Sequence, residues 1–370
     1  MKKVIVGVSG GVDSSVALIL LKNAGYEVEG LFMRNWDSLV NNDINGNPTL
    51  DNEICTQEQD YNDAKAVCDK LGVKLHRVDF VKEYWDYVFT YFLDELKKGR
   101  TPNPDVMCNK YIKFDLFIKE AHKFGADFIA TGHYAKLVDG KLFKAKDLNK
   151  DQSYFLSQLS SEQLKDVLFP LGDITKDKVR EIAREYDLIT SDKKDSTGIC
   201  FIGERNFKNF LSNYLPNKSG DIVNIETKEV LGKHIGLMYY TIGQRRGLNV
   251  GGTSLKLFVV GKDLNNNILY VCEGEDNPYL YSDSCIIDSV VLNISENEKK
   301  DNYSAKFRYR SNDVPVILEY LSNGEILVKY DGVKGVTPGQ VCALYDKDRC
   351  IGSGIIKEVR KNDEKLWYLL

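Results

Sequence analysis

One stretch near the beginning of the chain decides the fold: Val4-Ile5-Val6-Gly7-Val8-Ser9-Gly10-Gly11-Val12-Asp13-Ser14-Ser15. Its first residues are mostly β-branched and predict a short buried strand. Ser9 through Ser14 predict a turn, and an apolar helix is expected from Val16 to Ala24, ended by Gly25. The order of strand, glycine-rich turn and helix is typical of an α/β protein.

The turn has the composition of a phosphate cradle. Gly10 and Gly11 let backbone N–H groups crowd around an anion without a Cβ in the way. Serine hydroxyls and the positive end of the following helix add to the attraction. Asp13 is an anion among these donors, and an acid there is explained if it holds a Mg²⁺ ion that bridges phosphate oxygens.

A purely structural interpretation is also available for this turn. Asp13 and Ser14 could cap the helix and bind nothing. The turn is also not a Walker A loop, because no Gly-Lys-Ser/Thr closes it. The unbroken order of strand, Ser-Gly-Gly-Val-Asp-Ser and helix nevertheless favours nucleotide binding.

This stretch resembles the PP-loop of the N-type ATP pyrophosphatases. The resemblance implies that ATP is cleaved between its α- and β-phosphates, so that pyrophosphate leaves and a substrate oxygen becomes adenylated. It does not identify the substrate, because amide synthetases and tRNA-modifying enzymes share the loop.

Composition gives the broad class. The chain has 370 residues, 43% of them hydrophobic and 28% charged, with a net charge of −4, which is typical of a globular protein of two or three domains. No apolar run reaches the length of a membrane span. Lys2-Lys3 is followed by too short an apolar run for a signal peptide, so a cytoplasmic protein is expected. Eight cysteines without a C-x-x-C pair, and only four histidines, argue against structural zinc.

The first half of the chain predicts a doubly wound parallel sheet. Further strands are expected at 27–33, 73–80 and 127–131, with helices at 61–71, 81–98 and 114–124. The fourth strand ends at Gly132-His133, where such sheets carry ligands. Residues 34–60 are expected to form a long loop, and two prolines predict a non-helical loop at 99–110.

The second half changes to short alternating strands with glycine and asparagine turns. We predict three domains: a catalytic domain over residues 1–205, a small central β-rich domain over 206–280, and a C-terminal β-barrel over 281–370.

Two cysteines are candidates for chemistry. Cys108 follows the proline-rich loop and has three cationic residues nearby in sequence, Arg100, Lys110 and Lys113. Cys200 also has three, Lys193, Lys194 and Arg205. Exposed loops with local positive charge lower the pKa of a thiol and raise its reactivity. Alternatively, both are ordinary thiols. Cys68 is expected in a helix core, and the last four cysteines, which lie in β segments, are expected to be buried.

One short segment is a candidate for phosphate-backbone binding. Residues 306–310, Lys-Phe-Arg-Tyr-Arg, alternate strictly. As a strand they would place Lys306, Arg308 and Arg310 on one face, which would suit RNA. A solvated barrel face explains the pattern equally well.

With these motifs in place, the chain resembles the bacterial tRNA-specific 2-thiouridylases of the MnmA type over essentially its whole length. Besides the PP-loop, the resemblance rests on Thr101-Pro102-Asn103-Pro104-Asp105 with Cys108-Asn109, Ala130-Thr131-Gly132-His133-Tyr134, Lys150-Asp151-Gln152-Ser153, Asp195-Ser196-Thr197-Gly198-Ile199-Cys200-Phe201-Ile202-Gly203, Thr241-Ile242-Gly243-Gln244-Arg245-Arg246-Gly247-Leu248 and Thr337-Pro338-Gly339-Gln340.

The resemblance implies a tRNA-uridine 2-sulfurtransferase. ATP would adenylate the C2 oxygen of the wobble uridine in tRNAs for Lys, Glu and Gln, and sulfur would come from a cysteine persulfide on Cys200. Cys108 would be the nucleophile, which attacks either the persulfide or the activated base intermediate. A cysteine desulfurase or sulfur-relay protein would be the persulfide donor. The implied fold is the adenine-nucleotide-hydrolase-like PP-loop fold.

The resemblance also implies binding roles for further residues. ATP would be bound by Gly7, Val8, Ser9, Gly10, Gly11, Val12, Asp13, Ser14, Met33 and Gly132. The target base would be approached by Asn103, Pro104 and Asp105, with Asp105 a candidate acid/base. The tRNA contacts would be His133, Lys150, Asp151, Gln152, Arg308, Tyr309 and Gln340.

Two other functions remain possible at this point. One is an ATP-dependent amide synthetase, which would need ammonia or a glutaminase partner. The other is a non-catalytic, nucleotide-dependent RNA-binding protein.

Overall fold

The computed structural model describes residues 1–50, 55–195, 198–251 and 255–369. Ser196 and Thr197 of the quoted 195–203 motif, and residues 51–54 of the expected 34–60 loop, lie outside these ranges. The chain forms two compact units. The first comprises Met1–Thr90, Pro104–Asn213 and Asp348–Ile351, and the second comprises Tyr91–Asn103, Tyr214–Lys347 and Gly352–Leu370.

The first unit is built on a parallel sheet. The strands of this unit, in chain order, are β1 (Lys3–Gly7), β2 (Glu27–Arg34), β3 (Leu75–Asp79), β4 (Phe128–Ala130), β5 (Lys136–Val138), β6 (Lys141–Phe143) and β7 (Val167–Leu168). The parallel order is β3-β2-β1-β4-β7, and β5 and β6 form the hairpin that Asp139-Gly140 predicts. The strand order reverses between β1 and β4, which makes this edge the topological switch point where doubly wound sheets bind ligands. The predicted fold class is confirmed.

Helices connect these strands. They are α1 (Val12–Asn23), α2 (Thr56–Leu71), α3 (Val81–Tyr84), α4 (Thr90–Lys97), α5 (Pro104–Met107), α6 (Phe117–Lys123), α7 (Ser153–Leu156), α8 (Ser161–Leu164), α9 (Lys176–Glu185) and α10 (Phe207–Ser212). Two π-helical segments, π1 (Trp85–Phe89) and π2 (Cys108–Leu116), continue α3 and α5. Helix α1 is buried on most of its sides, with Val16, Ala17 and Leu18 at 0% exposure.

Helix α1 begins earlier than predicted, at Val12 rather than Val16. The hydroxyls of Ser14 and Ser15 donate to the carbonyl of Gly11 at 3.2 and 2.8 Å. The two hydroxyls therefore find a hydrogen-bond acceptor within the first helical turn, and the helix can begin before the serines.

The prediction that residues 99–110 are non-helical is wrong from Pro104 onward. Pro104 is the first residue of α5, a position where the missing N–H costs nothing and the fixed φ of proline suits a helix. The helix then widens into π2, which contains a kink at Phe114 (φ −117°, ψ 23°). Similarly, π1 interrupts the continuous helix predicted at 81–98.

The second unit contains a small sheet and a closed barrel. The sheet comprises β8 (Gly220–Asn224), β9 (Val230–His234), β10 (Leu257–Asp263) and β11 (Ile268–Glu273) in the order β10-β11-β8-β9. The barrel strands are β12 (Tyr281–Leu292), β13 (Asn302–Lys306), β14 (Val314–Tyr320), β15 (Ile326–Lys334), β16 (Val341–Asp346) and β17 (Arg349–Lys361). Their order is β12-β15-β14-β13-β16-β17, and β12 pairs with β17 to close the barrel. A short strand, β18 (Glu364–Lys365), pairs with β17. The predicted C-terminal barrel is confirmed.

The predicted cationic strand face at 306–310 does not form. Strand β13 ends at Lys306, and Arg310 has a left-handed φ of 62°. The reason is the pairing of β13 with β14, in which Ala305 lies opposite Val314, so the residues between them must turn. Lys306 Nζ lies 3.7 Å from Asp313 Oδ1, and the side chain of Arg310 is exposed.

A buried lysine in β10 gives the second unit a pH-dependent stability. Lys262 is 3% exposed, its Nζ donates to the carbonyl of Gly99 at 2.6 Å, and burial lowers its pKa to about 7. Between pH 7 and the ordinary lysine pKa of about 10.5, the unfolded chain binds more protons here than the folded chain, so raising the pH stabilises the fold. Below about pH 7 both states are protonated and this dependence vanishes.

We therefore expect the free energy of unfolding of the wild type, relative to that of Lys262→Met, to rise from pH 7 to pH 9.5 by up to about 1.4 kcal/mol per pH unit. Urea unfolding of both proteins across this range measures the difference. Parallel pH profiles for the two proteins would show that Lys262 stays charged in the fold.

No helix in the described ranges is long and apolar enough to cross a membrane.

Candidate active site

The loop after β1 is shaped to hold an anion. The N-cap of α1 is Gly11, and no side chain in the described structure caps it, since Ser14 Oγ instead accepts from the N–H of Ser9 at 3.1 Å. The alternative that Asp13 and Ser14 merely cap the helix is therefore wrong. The first N–H groups of a helix have no intrahelical partner. A Cβ built on Gly11 would meet only the Oγ of Ser9, at 3.4 Å, so no other described side chain covers the N-cap itself. The residues present fit a phosphate group.

The neighbouring strand ends close around this loop. A Cβ built on Gly132, just after β4, would lie 2.7 Å from the backbone nitrogen of Ser14, so only glycine fits there. Met33, near the end of β2, places its Cε 3.7 Å from the Cβ position of Gly7. The structure thus brings together Met33, Gly132 and the loop, all predicted to bind ATP.

Asp13 lies in a network of charges that the sequence did not indicate. Its carboxylate accepts from Lys176 Nζ at 2.7 and 2.9 Å and from the Tyr134 hydroxyl at 2.7 Å. Lys176 also contacts Asp195 at 2.7 Å. Partial burial raises the pKa of Asp195, but hydrogen bonds from Lys150 and Lys176 outweigh it and bring this pKa down to about 2.

The donor set at Asp13 fits a magnesium ion only together with phosphate. Among the described residues, no group of three or more His, Cys, Asp or Glu side chains could hold a metal. Mg²⁺ is commonly held by one or two carboxylates and substrate phosphates, and Asp13 at the mouth of the cradle can be such a carboxylate.

The two candidate cysteines lie side by side. Cys108 Sγ and Cys200 Sγ are 3.7 Å apart, as free thiols, although 92 positions separate them in sequence. Cys108 is fully buried and not exposed as predicted, because Pro104 begins a helix where a loop was expected. Burial raises the pKa of Cys108 well above its usual value. Its hydrogen bond to Cys200, assisted by the charge of Lys113, lowers the pKa of Cys200 despite burial.

The backbone of Cys200 is held on both sides. Its N–H donates to Asp105 Oδ1 at 2.9 Å, and its carbonyl accepts from the hydroxyl of Tyr84, which is fully buried, at 2.8 Å. Burial raises the pKa of Asp105, which favours a role of this carboxyl in proton exchange. Asp105 therefore positions the thiol as well as being a candidate acid/base.

The lysine that serves the thiols is not among those nearest Cys200 in sequence. Lys193 instead pairs with Asp60 and Asp63, at 2.8 and 2.5 Å, and Arg205 is buried against Asp43. Lys113, whose Nζ lies 5.4 Å from the centroid of the Phe201 ring, is the cation that lowers the pKa of the Cys200 thiol.

Sequence reasoning assigned no role to Tyr84, Tyr134 or Lys176. Tyr134 stands in a quoted motif, but nothing in the sequence marked Tyr84 or Lys176.

The predicted tRNA contacts of this unit differ in accessibility. His133 is 8% exposed, lies 2.7 Å from Thr131 Oγ1, and has a pKa lowered well below its usual value by burial. Asp151 is buried and accepts a hydrogen bond from Ser153 Oγ at 2.8 Å, so its carboxylate stabilises the turn in which it lies. Gln152 Oε1 accepts from the N–H of Tyr134 at 2.9 Å. Lys150 is partly exposed.

In the second unit, Gln340 and Arg308 bind the protein's own backbone. Gln340 Nε2 donates to the carbonyl of Thr101 at 2.7 Å, two residues before the predicted base contact Asn103. The guanidinium of Arg308 donates to the carbonyls of Ile242 and Gly335 and to Thr337 Oγ1, at 2.5, 2.7 and 2.9 Å. Contact of Arg308 and Tyr309 with tRNA stays a prediction.

We expect Arg308→Ala to lower the free energy of unfolding by about 2–4 kcal/mol, because carbonyls in the interior of the unit would lose charge-assisted hydrogen bonds. Denaturant unfolding measures the change, with the exposed Arg310→Ala as the matched control that should leave the midpoint unchanged. If Arg308→Ala is as stable as the wild type but weakens tRNA binding and reduces its salt dependence, the residue serves RNA rather than the fold.

Comparison with known proteins gives matches along almost the whole chain. Residues 2–204 match the family described as tRNA methyl transferase HUP domain, residues 208–273 its PRC-barrel domain, and residues 282–356 the aminomethyltransferase beta-barrel domain. The tRNA-specific 2-thiouridylase MnmA of Mycoplasmopsis synoviae is 57% identical over 369 residues, covering 100% of this chain and 99% of that protein. The chain belongs to the MnmA family.

Other members of the MnmA family match equally completely. The protein of that name from Mycoplasma capricolum is 57% identical, covering 97% of this chain and 100% of the relative, and that from Acholeplasma laidlawii is 54% identical, covering 99% of both. The domain descriptions speak of methyl transfer, whereas these full-length relatives are named for thiolation.

Proposed function

We propose that the chain is a tRNA-uridine 2-sulfurtransferase, an enzyme that converts the wobble uridine of tRNAs for Lys, Glu and Gln to 2-thiouridine at the expense of ATP. The observation that carries this proposal is a pair of thiols 3.7 Å apart, with pKa values shifted in opposite directions, in the unit that carries the anion cradle. The names of the full-length relatives agree with it.

The first half-reaction activates the uridine. The N–H groups at the start of α1 bind the phosphates of ATP, with Gly132 and Met33 flanking the nucleotide. The C2 oxygen attacks the α-phosphorus and pyrophosphate leaves, which converts a poor leaving group into AMP. Mg²⁺, held by Asp13, would neutralise the phosphate charge when bound.

The second half-reaction supplies the sulfur. The thiol with the lowered pKa, Cys200, attacks the terminal sulfur of a donor persulfide, so a Cys200 persulfide forms and the donor thiol leaves. Cys108 then attacks the inner sulfur of this persulfide. A Cys108–Cys200 disulfide forms, hydrosulfide is released to replace AMP at C2, and an external dithiol must reduce the disulfide with two electrons.

In this scheme Asp105 takes the proton from Cys108. Its raised pKa lets it act as a base toward a buried thiol and then as an acid. The sequence of events also explains why one thiol has a raised pKa and the other a lowered one: Cys200 must react first, and Cys108 only after loading.

The remaining assignments belong to the same proposal. Asn103 and Pro104 approach the base with Asp105, and tRNA is bound by Lys150, Gln152 and the second unit. The donor is a cysteine desulfurase or sulfur-relay protein, the enzyme is cytoplasmic, and its domains are residues 1–205, 206–280 and 281–370.

The direct test incubates the purified chain with ATP, Mg²⁺, a persulfide donor and a tRNA for Lys. AMP formation and mercury-gel retardation of the tRNA should appear together, and neither with a tRNA that carries cytidine at the wobble position. AMP formation that depends on ammonia instead would indicate an amide synthetase. Binding of tRNA and ATP without AMP formation would indicate a non-catalytic binding protein.

A further inference from the structure

Lys113 owes its position to the π-helical segment. It lies five residues after Cys108, within π2. In an α-helix, residues five apart point about 140° away from each other. In a π-helix the hydrogen bonds span five residues, so these positions lie one above the other on the same side. The widened turn thus turns Lys113 toward the side of Cys108, and Lys113 Nζ lies 5.4 Å from the centroid of the Phe201 ring, the residue after Cys200. The positive charge of Lys113 acts to lower the pKa of both thiols.

Three other described groups near the two thiols carry no positive charge at neutral pH. Asp105 is an acid, Tyr84 is buried with a pKa raised by burial, and His133 beside Lys113 is kept neutral by burial. Burial lowers the pKa of Lys113, but the neighbouring thiols and Asp105 outweigh it, so this lysine stays protonated. Among the described groups that act on the Cys200 thiol, Lys113 is the cation.

Other lysines near the thiols in sequence have different partners. Lys110 Nζ donates to Gln158 Oε1 at 2.9 Å. Lys193 donates to the carbonyl of Gly10 at 2.9 Å, beside the phosphate cradle. Neither is available to balance a charge at sulfur.

We propose that Lys113 is a catalytic residue that holds the negative charge on the sulfur of Cys200, first as thiolate and then as persulfide anion. The inference rests on the proposed function, because it deepens the role of Cys200 in sulfur transfer. A buried anion needs a partner of opposite charge. Without one, the thiol of Cys200 stays protonated, and the persulfide anion that forms on it is destabilised. The neutral residues around the pair exclude water and so strengthen this one interaction.

The test measures the reactivity of Cys200 alone, without ATP or tRNA. Iodoacetamide alkylation of the Cys200 peptide is followed by mass spectrometry from pH 5 to pH 10 in the full chain. For Lys113→Met we expect the pH midpoint to rise by at least one unit, which slows alkylation at pH 7 about tenfold or more. Lys113→Arg should stay within about threefold of the wild type, since it keeps the charge. Lys110→Met, on the same helix, is the matched control and should leave the profile unchanged.

The outcomes separate this inference from the proposed function. A wild-type profile in Lys113→Met, or in Lys113→Gln should the methionine variant not fold, would overturn the role of Lys113 whatever the tRNA result. Equal shifts in Lys113→Met and Lys113→Arg would also overturn it, because they would show that shape and not charge matters. A shifted profile in a protein whose wild type thiolates no tRNA would leave the inference standing and refute the proposed function.

Discussion

Cys200→Ser is expected to abolish thiolation completely, and Cys108→Ser is expected to stop it at a defined later step. The Cys200 variant should accept no persulfide, because it lacks the thiol with the lowered pKa. The Cys108 variant should accept one sulfur atom on Cys200 and then fail to release it. For both we expect turnover to fall by at least about 1000-fold, the scale of losing a nucleophile.

The wild type should leave a signature of the intermediate. In a single turnover without reductant, a Cys108–Cys200 disulfide should accumulate in step with 2-thiouridine, since the two sulfurs need to move only from 3.7 Å to bonding distance. Peptide mapping under non-reducing conditions detects it. Cys55→Ser is the control, because Cys55 is exposed and would compete for persulfide if exposure alone decided loading. Full thiolation by Cys108→Ser, or a disulfide that involves Cys55, would contradict the assignment.

The parallel sheet and the glycine-rich turn after β1 were predicted correctly because residues close together in sequence determine them. A β-branched run, a glycine-rich turn and an apolar helix follow one another without interruption, and the position of Gly132 follows from the rule that strand ends at the switch point carry ligands. The barrel was predictable for the same reason, from regularly spaced alternating strands.

Prediction failed where a residue's partner is distant in sequence. The alternation at 306–310 is a correct local pattern, but the register of β13 with β14 forces a turn there, and Arg308 binds carbonyls 27 and 66 positions away. Proline was interpreted as a helix breaker, whereas Pro104 starts a helix. The segment that continues this helix carries Lys113, five residues after Cys108, whereas Lys193, which lies near Cys200 in sequence, pairs with Asp60 and Asp63.

The charge network at Asp13 is the other place where three-dimensional contacts decide the outcome. Removing its carboxylate leaves Lys176 paired with Asp195 at 2.7 Å, so we expect Asp13→Ala to fold normally. We also expect AMP formation in the presence of Mg²⁺ to fall on the order of 1000-fold, because an unshielded triphosphate resists attack by an oxygen nucleophile. Asp177→Ala, an exposed acid next to Lys176 in sequence, is the matched control and should retain full activity.

Two mechanisms could produce this loss, and a third variant separates them. If Asp13 holds the metal, Asp13→Asn should need a much higher Mg²⁺ concentration for half-maximal AMP formation, and Lys176→Met should keep the wild-type requirement. If Asp13 acts only by orienting Lys176 toward the phosphates, Lys176→Met should lose as much activity as Asp13→Ala, and the Mg²⁺ requirement of Asp13→Asn should not change. Near-normal AMP formation by Asp13→Ala would rule out both, and would leave the N–H groups at the start of α1 as the main stabilisers of the phosphate charge.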